Sequence, residues 1–155
     1  MIYEKLYQSE DLTRVDFADY IKSLASNLLY TYAADPTLIK LKTNVEDVSL
    51  NIDTAIPCGL IINELLTNSI KHAFPDGRGG EVRIDLRSSG DKFILTVSDN
   101  GMGFSEDLDF RKTETLGMQL VFGLVDQLNG EIELDGNHGI EFKIVFKELK
   151  YEDRI

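Results

Sequence analysis

The chain lacks the multiple cysteines that form disulfides in small secreted proteins. Its 155 residues include one cysteine, three prolines and no tryptophan. Cys58 has no partner for an internal disulfide, which agrees with a reducing compartment. No stretch reaches the roughly 20 apolar residues that a membrane-spanning helix requires, and no signal peptide is recognisable at the start. We therefore expect a cytoplasmic segment that makes no direct contact with a membrane.

Basic residues are also in short supply. Lysine and arginine number 16 against 27 acidic residues, and the formal net charge is -11. Nucleic acid is therefore not expected as a partner, because its phosphates require a basic face. If an anionic nucleotide binds, its charge must be offset locally by a divalent cation and a few well-placed basic side chains.

The remaining composition is that of an ordinary globular domain, with 43% hydrophobic and 28% charged residues. The spacing of apolar residues predicts, in order, a helix over 16–33, one or two strands over 41–53, a long helix over about 54–73, a hairpin over 82–97, a helix from about 116, and two final strands ending near 146. In the last helix we expect five apolar side chains to be buried, at Leu120, Val121, Leu124, Val125 and Leu128. This order indicates an α+β two-layer sandwich, with about three helices packed on one face of a mixed, mostly antiparallel sheet.

The long helix carries a polar face in its second half. Glu64, Asn68, Lys71 and His72 are spaced so that they share one side of the helix. The Asn68 amide oxygen is a suitable magnesium ligand beside phosphates and water, and the Glu64 carboxylate is placed to act as a general base. Lys71 and His72 would donate to phosphates or to the sugar. The alternative is a solvated polar face without a ligand.

A second polar signal follows the hairpin, in the sequence Asp99-Asn-Gly-Met-Gly103. A carboxylate at the end of a buried strand can accept a hydrogen bond from the exocyclic amine of adenine. Gly101 and Gly103 would let the backbone turn tightly and approach the base. The alternative is an ordinary Asp-Asn-Gly turn.

A third signal is the glycine at the start of the last helix, where free backbone N–H groups favour phosphate. It lies in the run Thr115-Leu-Gly117-Met-Gln, and Arg111 and Lys112 shortly before it could close over a triphosphate. Exposed basic residues are often only solvating, so this role stays open. The glycine-rich segment 74–80 lacks the Gly-Lys-Ser/Thr ending of a phosphate loop and is interpreted as a flexible turn.

Four motifs in this order resemble a known family. NELLTNSIKHAF, SDNGMGF, TLGMQLV and GNHGIEF are similar to the N box and glycine boxes of the catalytic ATP-binding domain of sensor histidine kinases. These kinases belong to the wider Bergerat-fold (GHKL) ATPases, with gyrase, MutL and the large heat-shock chaperones. The likeness covers about residues 10–147, and four ordered motifs are far more specific than any one of them.

The resemblance implies ATP and Mg²⁺ as cofactors. By position it implies magnesium at Asn68, adenine at Asp99, a pocket shaped by Gly101 and Gly103, and nucleotide contacts from Lys71, His72, Arg111, Lys112, Thr115, Leu116, Gly117 and Met118. Glu64 is the implied catalytic residue. Many histidine kinases carry Asn there, whereas ATP-hydrolysing relatives and anti-sigma serine kinases carry Glu. Ile140 departs from the Thr that often follows the last glycine.

The same resemblance predicts what lies around the domain. Neither histidine of the chain, His72 or His138, has the setting of a phosphoacceptor. We therefore expect residues 1–12 to be the tail of an upstream dimerisation or linker helix, 13–150 to be the catalytic domain, and 151–155 to be a tail. The expected partners are an upstream histidine-bearing dimerisation domain and, indirectly, a response regulator. The alternatives are an anti-sigma-like serine kinase or slow ATPase of the same fold, and a non-catalytic nucleotide-regulated interaction module.

Overall fold

The computed structural model describes residues 14–33, 35–72, 79–101, 116–136 and 139–149. The helices are α1 (Phe17–Tyr32), α2 (Ile52–His72) and α3 (Leu116–Gln127), and a 3₁₀ turn covers Pro36–Leu38. The strands are β1 (Arg14–Asp16), β2 (Ile39–Val45), β3 (Ser49–Asn51), β4 (Gly80–Ser89), β5 (Lys92–Asp99), β6 (Glu131–Asp135) and β7 (Ile140–Lys147). None of the helices in these ranges has the length and apolar character needed to cross a membrane.

The main sheet has five strands in the order β2-β4-β5-β7-β6. β2 pairs with β4 in parallel, and every other neighbouring pair in this sheet is antiparallel. Side chains alternate between the two faces, so the buried apolar residues of the hairpin share one side, whereas Ile94 lies on the other. The predicted two-layer fold with a mixed, mostly antiparallel sheet is confirmed.

A second, two-stranded sheet was not predicted. β1 pairs antiparallel with β3, and Arg14 lies opposite Asn51 in its register. The Arg14 guanidinium donates to both carboxylate oxygens of Glu148, at 3.1 and 3.0 Å, and to Ser49. The chain entering through β1 is therefore attached to both β3 and the segment that follows β7.

The three helices cover one face of the main sheet. Asp16 caps α1 by accepting from the Asp19 N–H, as the sequence predicts. α2 begins two residues before the predicted start, because the Asn51 side chain accepts from the Thr54 N–H and hydroxyl. The apolar spacing of α2 predicts that Ile62, Leu66 and Ala73 pack on the sheet. Ile62 and Leu66 are fully buried, and Ala73 lies outside the described residues.

The directions of the helices follow from particular contacts. Two contacts show that α1 and α2 run parallel. Tyr20 packs on Gly59 near the starts of the helices, and Tyr32 contacts Lys71 near their ends. α3 runs antiparallel to α2. Gly117, in the first turn of α3, contacts Glu64 in the second half of α2. Gly130, just after α3, packs on Phe146. Phe146 is close in sequence to Leu149, whose N–H donates to Thr54 at the start of α2.

The prediction for Leu120 was wrong. The neighbouring apolar positions of α3 are buried as expected, but the Leu120 side chain is 42% exposed. The apolar residues of α3 occupy a wider part of its surface than the part that the sheet and α2 cover, so one of these residues faces solvent. The sequence Asn129-Gly130 predicts the end of α3, and the structure agrees. Asn129 takes a left-handed φ of 54°, and the Gly130 N–H bonds to the Val125 carbonyl.

Candidate functional site

The polar face of α2 lies in the second half of the helix. Glu64 and Asn68 are half-buried, and Lys71 and His72 at the end of the helix are exposed. The hydroxyl of Thr67, beside Asn68, is buried and has no hydrogen-bond partner among the described residues. The two half-buried groups therefore lie at the border between the core and solvent, where a ligand can reach them.

The Glu64 carboxylate lies against the first turn of α3. A Cβ placed on Gly117 would be 2.7 Å from Glu64 Oε2, which is closer than real Cβ atoms approach other atoms. Glycine is therefore what lets the carboxylate reach this position. The N-terminal turn of a helix carries partial positive charge, which attracts a nearby carboxylate. The structure thus brings together Glu64 and Gly117, which are far apart in sequence.

Lys71 is directed toward α1. Its Nζ lies 4.7 Å from the centre of the Tyr32 ring, within the range of a cation–π contact. No sequence pattern indicates this contact, because it depends on the parallel packing of α1 against α2. Lys71 is consequently held at the side of the polar face nearest to α1.

Asp99 ends β5 and is 6% exposed. Its Oδ1 accepts from the backbone N–H of Gly101 at 3.0 Å and from that of Ile140 at 3.4 Å. Its Oδ2 is buried and has no hydrogen-bond partner among the described residues. A buried carboxylate oxygen without a donor costs about 1–3 kcal/mol or more. This half of the carboxylate is therefore suited to a ligand that donates a hydrogen bond.

The backbone around Asp99 is fixed from two sides. The Asn100 N–H bonds to the Glu81 carbonyl, and the Asn100 side chain accepts from the Glu81 N–H at 2.7 Å. On the other side, Gly139 has φ +88° and packs directly on the Asp99 carbonyl, where no Cβ fits. Asp99 is therefore positioned by a rigid turn, and Oδ2 is presented in a fixed direction.

Sequence reasoning missed the contributions of Asn100, Gly139 and the Ile140 backbone. The Ile140 side chain departs from the Thr often found at this position, yet its main-chain N–H bonds to Asp99 whatever its side chain. The glycine before it was the available signal, because glycine often marks a close approach of two backbones. The two motifs SDNGMGF and GNHGIEF therefore meet at Asp99.

Several predicted site residues cannot be placed. Gly103, Arg111, Lys112 and Thr115 lie outside the described residues, and α3 begins at Leu116. Met118 is buried, at 6% exposure, within the helix layer. The nucleotide contacts assigned to these residues remain predictions.

A cavity of about 260 Å³ also lies beside the Asp99–Asn100 turn, on the open face of the sheet. Its walls include Glu81, Arg83, Ser98 and Glu141, whose side chains point away from the helices. Asp99 alternates with Ser98 along β5 and shares the core side with Val97 and Val82. We therefore locate the candidate site on the helix side, where Glu64 and Asn68 lie, and not in this cavity.

Comparison with known proteins identifies the class. A family model described as histidine kinase-, DNA gyrase B-, and HSP90-like ATPase matches residues 53–152. The chain belongs to this family. The resemblance of its motifs to the catalytic ATP-binding domain of sensor histidine kinases is confirmed, and a further model, described as histidine kinase, matches residues 1–32.

Individual relatives agree with this class. Blue-light-activated histidine kinase 2 of Erythrobacter litoralis is 37% identical over 99 residues, which are 62% of this chain and 28% of that protein. The solved histidine kinase domain of a blue-light activated kinase from the same species has a TM-score of 0.84 at 27% identity, over 94% of this chain and 69% of that one. Serine-protein kinase RsbW of Listeria innocua is 42% identical over 55 residues, which are 36% of this chain and 34% of RsbW.

Proposed function

We propose that the chain binds Mg-ATP and transfers its γ-phosphoryl group to a histidine on an upstream dimerisation domain. The main support for nucleotide binding is the hydrogen bonding of the Asp99 carboxylate. One of its oxygens is held by two backbone N–H groups, and the other is buried with no donor among the residues that the structure describes. The exocyclic amine of adenine supplies such a donor. Guanine has a carbonyl oxygen at that position, which would face the carboxylate and be repelled.

Asn68 is the proposed magnesium ligand. Among the described residues no group of three or more His, Cys, Asp or Glu side chains is placed to hold a metal ion. A magnesium ion at Asn68 would therefore take most of its octahedral shell from phosphate oxygens and water, as this ion commonly does. When bound, it would neutralise charge on the transferring phosphoryl group. Lys71 and His72 would add donors for the phosphates at the end of α2.

Glu64 is the proposed proton acceptor. Its contact with Gly117 places the carboxylate at the first turn of α3, where the predicted phosphate contacts also begin. As the attacking group bonds to the γ-phosphorus and the bond to the leaving oxygen breaks, the carboxylate would take the proton from the attacking group. The half-buried setting limits competing water without closing off the approach of a second protein group.

The proposed acceptor is a separate histidine-bearing module, with a response regulator as its eventual partner. This part is supported by the histidine kinase model that matches residues 1–32. The chain spans 28% of the first curated relative, so the activity of the full-length protein is inferred from the class. Cytoplasmic placement of this segment is part of the same proposal.

A second candidate is a serine kinase or slow ATPase of the same fold. It is favoured by the 42% identity to RsbW over 55 residues and by the carboxylate at position 64. The two candidates share the nucleotide site and differ in the group that receives the phosphoryl. Stability of the product in acid separates them, because phosphohistidine is hydrolysed in acid whereas phosphoserine is stable.

Nucleotide binding is tested by titrating ATP and GTP into the wild type and into Asp99→Asn. We expect ATP to bind more tightly than GTP to the wild type, and Asp99→Asn to weaken ATP about 10-fold to 100-fold, the range for a hydrogen bond to a charged group. Asp91→Asn is the matched control, because Asp91 is an exposed carboxylate in the β4–β5 turn that pairs with Lys147. Equal affinity of the wild type for both nucleotides would refute the role of Asp99.

The transfer step is tested by supplying the upstream histidine-bearing segment together with ATP labelled at the γ-phosphate. An acid-labile label on that segment, lost in Glu64→Gln, is the expected result. An acid-stable label on another protein would favour the serine kinase. If ATP binds but neither label nor phosphate release is detected, the chain is a nucleotide-regulated interaction module and the kinase proposal fails.

A further inference from the structure

Tyr32 is the last residue of α1, and its ring lies under the ammonium group of Lys71. The distance from Nζ to the ring centre is 4.7 Å. Tyr30, two residues earlier, is 76% exposed, whereas Tyr32 is 42% exposed. The two tyrosines lie near the same helix end, but among the described residues only the Tyr32 ring contacts a cation of α2.

The contact has a consequence for the polar face of α2. Lys71 lies three residues after Asn68 and seven after Glu64, so its Cα is on the same side of the helix as both. Lysine has four rotatable bonds, and ordering such a side chain on a ligand opposes binding. A ring that already restrains the ammonium removes part of that cost. The face of the ring occupies one side of the ammonium and leaves N–H donors free for phosphate oxygens.

We propose that Tyr32 is a positioning residue that holds Lys71 for the phosphates of the nucleotide. This inference rests on the proposed nucleotide site and adds to it a residue outside the four sequence motifs. It also gives α1 a role beyond packing, because the parallel alignment of α1 with α2 is what brings Tyr32 to Lys71.

The test compares Tyr32→Leu, which removes the ring, with Tyr32→Phe, which keeps it and loses only the hydroxyl. The matched control is Tyr30→Leu, which changes an exposed tyrosine at the same helix end. Each variant is titrated with ATP and with adenosine, which has the same base and no phosphates. Thermal unfolding of each variant verifies that the fold is retained.

We expect Tyr32→Leu to weaken ATP binding about twofold to fivefold, the range of an exposed cation–π contact, and to leave adenosine binding unchanged. Tyr32→Phe and Tyr30→Leu should match the wild type for both ligands. In a Lys71→Ala background, Tyr32→Leu should have no further effect, because the two residues act through one contact.

Three results would overturn the inference. A parallel loss of ATP and adenosine affinity indicates that Tyr32 only supports the fold. Unchanged or tighter ATP binding in Tyr32→Leu indicates that the ring does not assist Lys71 or restrains it away from the phosphates. Loss in Tyr32→Phe equal to that in Tyr32→Leu excludes the ring face as the cause.

Failure of the nucleotide site itself has a different signature. In that case the wild type binds neither ATP nor adenosine. The ring contact can still be measured by NMR, because protons on the Lys71 side chain above an aromatic ring are shifted upfield. If these Lys71 protons have the same chemical shifts in the wild type and in Tyr32→Leu, the positioning role of Tyr32 is overturned independently of any nucleotide.

Discussion

Replacing Gly117 with alanine would place a methyl group 2.7 Å from Glu64 Oε2. Ordinary van der Waals contact begins at 3.4 Å, so the carboxylate would have to move by about 0.7 Å. Oε2 is the end of a flexible side chain and can rotate away at little cost. We therefore expect the fold to be as stable as the wild type, or more stable by up to about 1 kcal/mol because alanine is the better helix former.

The catalytic consequence should be much larger than the effect on stability. A misplacement of about 1 Å in a catalytic group can reduce the rate about 100-fold. For the smaller displacement of Glu64 we expect phosphoryl transfer to fall roughly 10-fold to 100-fold, while the Kd for ATP changes by less than about threefold. The assay is single-turnover transfer to the upstream histidine-bearing segment, with ATP affinity measured separately by calorimetry.

Gly123→Ala is the matched control on the same helix. Gly123 is exposed, and a Cβ built there has no atom within 4 Å, so alanine should stabilise α3 without changing the rate. The reasoning fails if Gly117→Ala transfers phosphate as fast as Gly123→Ala. It also fails if Gly117→Ala slows a Glu64→Gln variant further by the same factor, because the loss would then not pass through the carboxylate.

Three other predictions concern the scaffold. Gly139→Ala should lower the free energy of unfolding by several kcal/mol, because φ is +88° and the new Cβ meets the Asp99 backbone. Gly90→Ala, where φ is +63° and the Cβ has open space, should lower it by only about 1–2 kcal/mol. Equal losses for the two variants in denaturant titrations would contradict this prediction. Burial raises the pKa of the Cys58 thiol far above its ordinary value, so the folded state keeps the proton that the unfolded state loses above about pH 8.5. Stability should therefore fall with rising pH above that value more steeply in the wild type than in Cys58→Ala, as measured by thermal unfolding, and parallel curves would count against it. A double-mutant cycle that removes Arg14, Glu148 or both should give a coupling energy of about 0.5–1 kcal/mol, because this ion pair is only partly buried. A coupling energy of zero would show that the pair contributes nothing to the docking of β1.

The sequence predicted the layers of the fold because each main element has a strong apolar period. The alternation at Val82, Ile84 and Leu86 and at Leu95 and Val97 predicts a hairpin with one buried face, and the structure pairs Ile84 with Val97 and Leu86 with Leu95. β1 was missed because three residues are too few to show a period, and because its pairing with β3 is not local in sequence. Leu120 was misassigned because periodicity identifies an apolar helix face without showing how wide the covering layer is.

For the candidate site, the sequence indicated polar positions but not the contacts that they make in the fold. The polar positions of α2 and the acid at Asp99 were predicted, and they occur at the border of the core. The contact of Glu64 with Gly117 and the contact of Lys71 with Tyr32 depend on how the helices align. No local pattern encodes such alignment, because it results from packing among residues that are distant in the chain.

The small β1–β3 sheet lies at the opposite end of α2 from the candidate site. Asn51 caps α2, bonds to the Leu149 carbonyl and faces Arg14, so the incoming strand and the segment after β7 are both attached at this end. From there to Asn68 the helix rises about 25 Å, at 1.5 Å per residue. α2 is therefore one continuous helix between these points of attachment and the candidate site. If α2 rotated about Asn51, the polar groups at its far end would move through a larger arc than any group near Asn51.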